Sequence, residues 1–146
     1  MKVETDHTYK EQSFCYTNHQ PTIEARAEIS SLNLCLARRR KTTVNCYKFL
    51  TEQKHEMVMS KQLLRCGTSI GANTRESKNA QSRMDFLNKL NIALKEADET
   101  EYWLDLLHET QYLEDNMYKS INDDCGELIR ILTSIIKKIK DNPQGK

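Results

Sequence analysis

The sequence is poor in the residues that break helices and turn chains. Four Gly and two Pro stand among 146 residues. That leaves little for the turns of an all-β fold, and the content of Leu, Ile, Lys and Glu argues against wholesale disorder. There is almost no net charge: 22 Lys and Arg against 21 Asp and Glu leave +1, so the chain as a whole is no strongly basic nucleic-acid binder. No apolar run approaches the roughly 20 residues that a membrane span needs. Residues 1–30 hold no apolar stretch of secretory type. The expectation is a cytoplasmic protein without a membrane partner. Cysteine is present five times, at 15, 35, 46, 66 and 125. The count is odd, with no C-x-x-C and no His pair at zinc spacing, so these thiols read as small buried hydrophobes in a reducing compartment.

What the chain does have is helical periodicity over the length of one domain. Residues 1–22 are polar and without sustained periodicity, and read as a mobile N-terminal tail. Residues 23–141 read as four helices, and 142–146 as a C-terminal tail opened by Pro143. The first helix spans roughly Ile23 to Gln53, with Ile29, Leu32, Leu36, Val44, Tyr47 and Leu50 as its apolar positions. Arg38, Arg39, Arg40 and Lys41 interrupt that stripe, so a start near Lys41 is the alternative. The second runs from Ser60 to about Ala80 and contains Gly67 and Gly71, each costing about 1 kcal/mol against Ala unless packing requires it.

The third opens on the S-x-x-D capping pattern Ser82–Asp85. It carries two apolar lines: Phe86, Leu90, Ala93, Ala97, Leu104 and Leu107, and beside them Leu87, Leu94, Trp103 and Leu106. The second line reads either as a broad core stripe or as an oligomer face. The fourth starts near Asp115 and repeats apolar residues every three or four positions from Ile121 to Ile139. Short connections between long amphipathic helices make neighbours antiparallel. The fold class is therefore all-α, an up-down-up-down antiparallel four-helix bundle with a flexible N-terminal tail.

Charge is balanced overall but segregated along the chain. Residues 61–95 hold seven basic and two acidic side chains, or +5; residues 96–127 hold one basic and eleven acidic, or −10; residues 128–146 hold five basic and one acidic, or +4. Folded up-down-up-down, one end gathers Arg38, Arg39, Arg40, Lys41, Arg75, Lys78, Arg83, Lys89, Lys137, Lys138 and Lys140, and the opposite end gathers acids from Asp98 to Asp124. A focused basic pole attracts phosphates even on a near-neutral protein. The expected partner is RNA or DNA bound without sequence preference, since no aromatic RNA-recognition motif or zinc finger is present.

Catalytic patterns are weak. Glu52 and His55 form a Glu-x-x-His pair, but no inward carboxylates on the other helices complete a two-metal site. Gly67–Gly71 lacks the lysine of a phosphate loop. Glu96, Asp98, Glu99 and Glu101 have no nucleophile or histidine beside them and read as inter-helix or solvated polar residues. His7, His19, His55 and His108 read as solvent-exposed. The expectation is a non-enzymatic protein with no cofactor and no metal.

Two stretches are distinctive: SKQLLRCGTSIGAN at 60–73 and DFLNKLNIALKEADETEYWL at 85–104. With YKFL at 47–50 and ELIRILTSII at 127–136, they resemble the four-helix bundle family encoded in intervening sequences of 23S rRNA genes, itself similar to the accessory variability determinant of diversity-generating retroelements. The resemblance spans about 41–140. It implies a closed bundle assembled as a homopentamer, no catalytic activity, and a nucleic-acid or reverse-transcriptase partner. The alternative role is a protein-interaction scaffold docking such a partner without touching nucleic acid. It also places Arg65, Asn73, Glu96, Glu99 and Trp103 at hallmark positions, as buried or subunit-facing polar contacts. The family's first helix usually reads apolar where this chain has Arg39, Arg40 and Lys41.

Overall fold

The computed structural model describes residues 23–141, with side chains from Ala27 onward except that of Arg40. Both expected tails, 1–22 and 142–146, lie outside the described residues, as do Cys15, His7 and His19. Four helices fill the described chain: α1 Ile23–Glu52, α2 Met59–Ser77, α3 Arg83–Glu109 and α4 Asp115–Asp141. No strand occurs among the described residues.

Each helix packs on two neighbours. α1 lies against α2 and α4, α3 lies against the same two, and among the described residues the backbones of the diagonal pairs come no closer than 8 Å between Cα atoms. Two apolar clusters divide the interior. One joins Leu32 and Cys35 of α1, Ile70 of α2, Leu87, Leu90 and Ala93 of α3, and Leu132 and Ile135 of α4. The other joins Cys46 and Leu50 of α1, Leu63 of α2, Leu104 and Leu107 of α3, and Cys125 of α4. Early α1 thus shares a cluster with late α2, early α3 and late α4, and the remaining halves share the second.

α1 is unbroken through Arg38–Lys41 and does not begin at Lys41. Arg and Lys are good helix formers, so the basic run alone gives no reason to stop. The buried positions of α1 are Leu32, Cys35, Arg39, Cys46 and Leu50. Arg39 therefore stands on the interior stripe that the cysteines complete, while Val44, expected inside, is exposed. The second line of α3 packs within the single chain: Leu87 and Leu94 belong to the first cluster and Trp103 to the second.

The helix ends follow local chemistry. Ser82 Oγ accepts from the Asp85 amide at 3.1 Å, and Asp85 Oδ2 accepts from the Gln81 amide at 3.0 Å. The start of α2 has no such Ser or Asp. Its first amides are taken instead by Glu56, whose carboxylate accepts from Val58 and Met59 at 2.9 Å each and from Ser60 at 2.6 Å. Burial would raise the Glu56 carboxyl, but these amides and the Ser60 hydroxyl outweigh it and hold it below the ordinary value. α1 and α3 are closed by single left-handed residues, His55 and Gln111. The turns are tied by Glu56 N–H to Leu50 O at 2.9 Å and Leu113 N–H to Leu107 O at 3.1 Å.

Candidate nucleic-acid interface

Contacts between charged side chains fix which helix ends lie together. Lys89 of α3 pairs with Glu76 of α2, Arg83 of α3 donates to the Ile139 carbonyl of α4, and Lys138 of α4 pairs with Glu28 of α1. The start of α1, the end of α2, the start of α3 and the end of α4 therefore meet at one end of the molecule. Two of these contacts remove charges from the expected basic set, and the third engages Arg83. Lys89 and Lys138 are neutralised by carboxylates, and Arg83 is bonded across to the last turn of α4.

Arg39 departs furthest from the expected set. It is 8% exposed and donates inward to the Asp124 carbonyl and the Glu127 carboxylate, with Asp124 Oδ1 2.8 Å from its guanidinium. A buried guanidinium between two carboxylates is a fastening of α1 to α4, not a phosphate contact. Arg38 and Lys41 on either side are exposed, midway along α1 and not at a helix start. The side chain of Arg40 lies outside those described. Arg75 and Lys78 at the end of α2, and Lys137 and Lys140 at the end of α4, are exposed and have no ion-pair partner among the described residues. Lys95 on α3 is exposed as well and was missed because it stands alone in sequence.

Four of the five hallmark residues come together between α2 and α3. Arg65 bonds Glu99 Oε1 and lies 3.6 Å from Glu96 Oε2, while Trp103 Nε1 donates to the same Glu99 oxygen at 3.1 Å. The Arg65 and Trp103 donors hold the Glu99 carboxyl below its usual range. Asn73 does not join them; its Nδ2 donates to the Ser69 carbonyl of its own helix at 2.9 Å.

The opposite end is acidic and more ordered than expected. The Tyr118 hydroxyl donates to Asp105 Oδ1 at 2.7 Å, and that bond, with burial and nearby Glu101 and Glu109, pushes its pKa up to about 12. His108, expected in solvent, is half-buried. It stacks on Tyr118 with ring centroids 4.0 Å apart, and its Nε2 lies 2.8 Å from Asp115 Oδ1.

Glu52 and His55 are both exposed at the α1–α2 turn, and among the described residues no three His, Cys, Asp or Glu side chains are placed to hold a metal ion. Cys35, Cys46, Cys66 and Cys125 are unbridged and buried. Burial pushes Cys46 up to about 11 and, with neighbouring carboxylates, Cys125 up to about 12, so both stay neutral thiols. No described helix is long and apolar enough to cross a membrane.

The sequence pattern of the family described as 23S rRNA-intervening sequence protein matches residues 34–134. A crystal structure of a protein of unknown function from the S23 ribosomal protein family of Bacteroides thetaiotaomicron is similar, with 55% identity and a TM-score of 0.74. That match covers 75% of this chain and 98% of the other. No curated protein matches the chain.

Proposed function

Because the chain belongs to the 23S rRNA-intervening sequence protein family, we propose that it is a non-enzymatic, cytoplasmic RNA-binding scaffold that grips phosphates through the basic end of an up-down-up-down bundle. One observation carries the reading. Arg75, Lys78, Lys137 and Lys140 stand exposed and without ion-pair partners among the described residues, at the end where Lys89 and Lys138 are already matched by acids. Solvated lysines and arginines left free at one end of a bundle, here in two pairs on α2 and α4, are the footprint of a phosphate-binding surface. Arg38 and Lys41 extend it toward the middle of α1. Contacts of this kind position a nucleic acid without reading its bases, so DNA of the same shape competes.

The scaffold works as a homo-oligomer, and the family likeness favours a pentamer. The outer face of α3 supports self-association, for Met84, Ile92 and Tyr102 are exposed there at 66%, 41% and 58%.

Fluorescence anisotropy with a labelled RNA tests the reading. Four phosphate contacts on a single strand lose about 50-fold in affinity between about 50 and 200 mM salt. Arg75→Glu, Lys78→Glu and Lys137→Glu together abolish binding at the lower salt while leaving helicity unchanged. Salt-independent binding, or a triple variant that binds as well as the parent, refutes it.

A second reading is favoured by the exposed carboxylates of Asp98, Glu109 and Glu114. There the acidic end docks a basic protein, such as a reverse transcriptase, and nucleic acid is not contacted. Capture of a protein partner that survives nuclease treatment, with no RNA affinity, selects it.

A further inference from the structure

We propose that the cleft between α1, α2 and α4 receives one unpaired nucleotide of an RNA strand, with the flanking phosphates on Arg75 and Lys78. The proposal rests on the RNA-binding reading above and adds what the strand must look like. The cleft measures about 760 Å³, within the ~300–1,000 Å³ of small-molecule sites.

It opens beside a tight contact. A Cβ at Gly67 would stand 2.6 Å from Thr43 Cγ2, so α1 and α2 touch there, yet a Cβ at Gly71, one turn further on, meets nothing within 4 Å. The helices part between those two glycines, and both line the gap.

The walls suit a planar heterocycle joined to an anion. Leu36, Ile70 and Leu128 line the cleft as apolar surface, and Thr74 and Asn79 add polar groups along α2. Arg39 also lines it, and its buried Nε–H has no acceptor among the described residues. A buried donor without a partner is costly, and a base carbonyl or ring nitrogen is the kind of atom that satisfies it. Arg75 and Lys78, both cleft-lining and exposed, stand one helical turn apart, where a backbone leaving the cleft would pass.

Electrostatics alone predicts the reverse preference. A duplex carries more charge per length and releases more counterions than a single strand. A basic surface without a pocket therefore binds duplex RNA at least as well. A cleft that takes an extruded base favours the single strand, because a duplex must first break its stacking.

The test compares, at low salt and on the full chain, a single-stranded RNA dodecamer with the blunt duplex of the same length. The single strand binds about fivefold more tightly. Gly71→Leu fills the cleft where there is room for a side chain, changes no charge, and abolishes that preference while duplex affinity stays as it was. Ala72→Leu, on the exposed lip of the same cleft, is the second plug should the first disturb the fold by circular dichroism. A parent chain that binds the duplex equally or better overturns the proposal, and so does a plugged variant that keeps the single-strand preference. Binding of both RNAs without preference refutes the cleft alone; binding of neither refutes the phosphate-gripping surface with it.

Discussion

The two glycines of α2 are predicted to respond in opposite ways to the same methyl group. Both occupy helical positions, where Gly costs about 1 kcal/mol relative to Ala, so propensity alone makes both alanine variants more stable. At Gly71 nothing opposes the gain, because a Cβ there meets no atom within 4 Å. Gly71→Ala should therefore gain about 1 kcal/mol, or roughly 4 °C in Tm for a domain of this size. At Gly67 the new Cβ would stand 2.6 Å from Thr43 Cγ2 and 3.2 Å from Thr43 Oγ1. Carbon atoms settle near about 3.5–4.0 Å, so roughly 1 Å must be found. Thr43 is β-branched and restricted in χ1 within a helix, which leaves movement of α1 as the main relief. Overpacking of this kind costs about 1–3 kcal/mol. Net of the propensity gain, Gly67→Ala is neutral to about 2 kcal/mol destabilising. Urea unfolding of the cycle with Thr43→Ala isolates the contact: in that background Gly67→Ala becomes stabilising, with a coupling of about 1–3 kcal/mol. If Gly67→Ala raises Tm as much as Gly71→Ala in the parent chain, the close approach of α1 and α2 is wrong.

Glu56→Gln should cost about 1–2 kcal/mol at neutral pH, because α2 loses an ionised cap on three amides. The Glu56 carboxyl is held below its ordinary value, so its contribution is full above the unfolded pKa of about 4.3 and is lost as pH falls through the folded value. Denaturation curves from pH 7 to 3 should converge for parent and variant at the acid end; curves that stay parallel would dismiss the cap. Asp124→Asn with Glu127→Gln strands the Arg39 guanidinium and should cost about 2 kcal/mol. That is below the ~3–5 kcal/mol of a fully buried pair, since the acids are 35% and 44% exposed. Arg39→Met, which removes the charge and keeps the volume, should cost less by urea titration, and the opposite order would contradict the fastening role.

The helical class and the start of α3 were legible because Ser82, Asp85 and the apolar spacing all act within a few residues of one another. The interior stripe of α1 is not legible at its middle. A run of basic residues looks solvated, and only the arrival of Asp124 and Glu127 from more than eighty residues away lets Arg39 turn inward. The cap on α2 was hidden for a related reason: Glu56 lies two residues ahead of the position where a capping side chain is normally sought. Of the basic residues, local charge pattern picks out Arg75, Lys78, Lys137 and Lys140, which stand exposed. It could not foresee that Glu76 and Glu28 would claim Lys89 and Lys138, since those pairings cross between helices. The cleft depends on where two helices part, and no spacing in the sequence encodes that.

The thiols shut inside the bundle turn unfolding into something that can be clocked. Cys35 and Cys46 ride on α1, Cys66 on α2 and Cys125 on α4, all out of reach of solvent. An alkylating reagent meets each only when its helix swings open, so modification rates at the four positions rank how often α1, α2 and α4 leave their places. Under oxidising conditions every such excursion becomes a race between reclosure and cross-linking. Chains that lose it are trapped by bridges that the folded bundle does not contain, and the loss of protein over time then records how often the bundle opens.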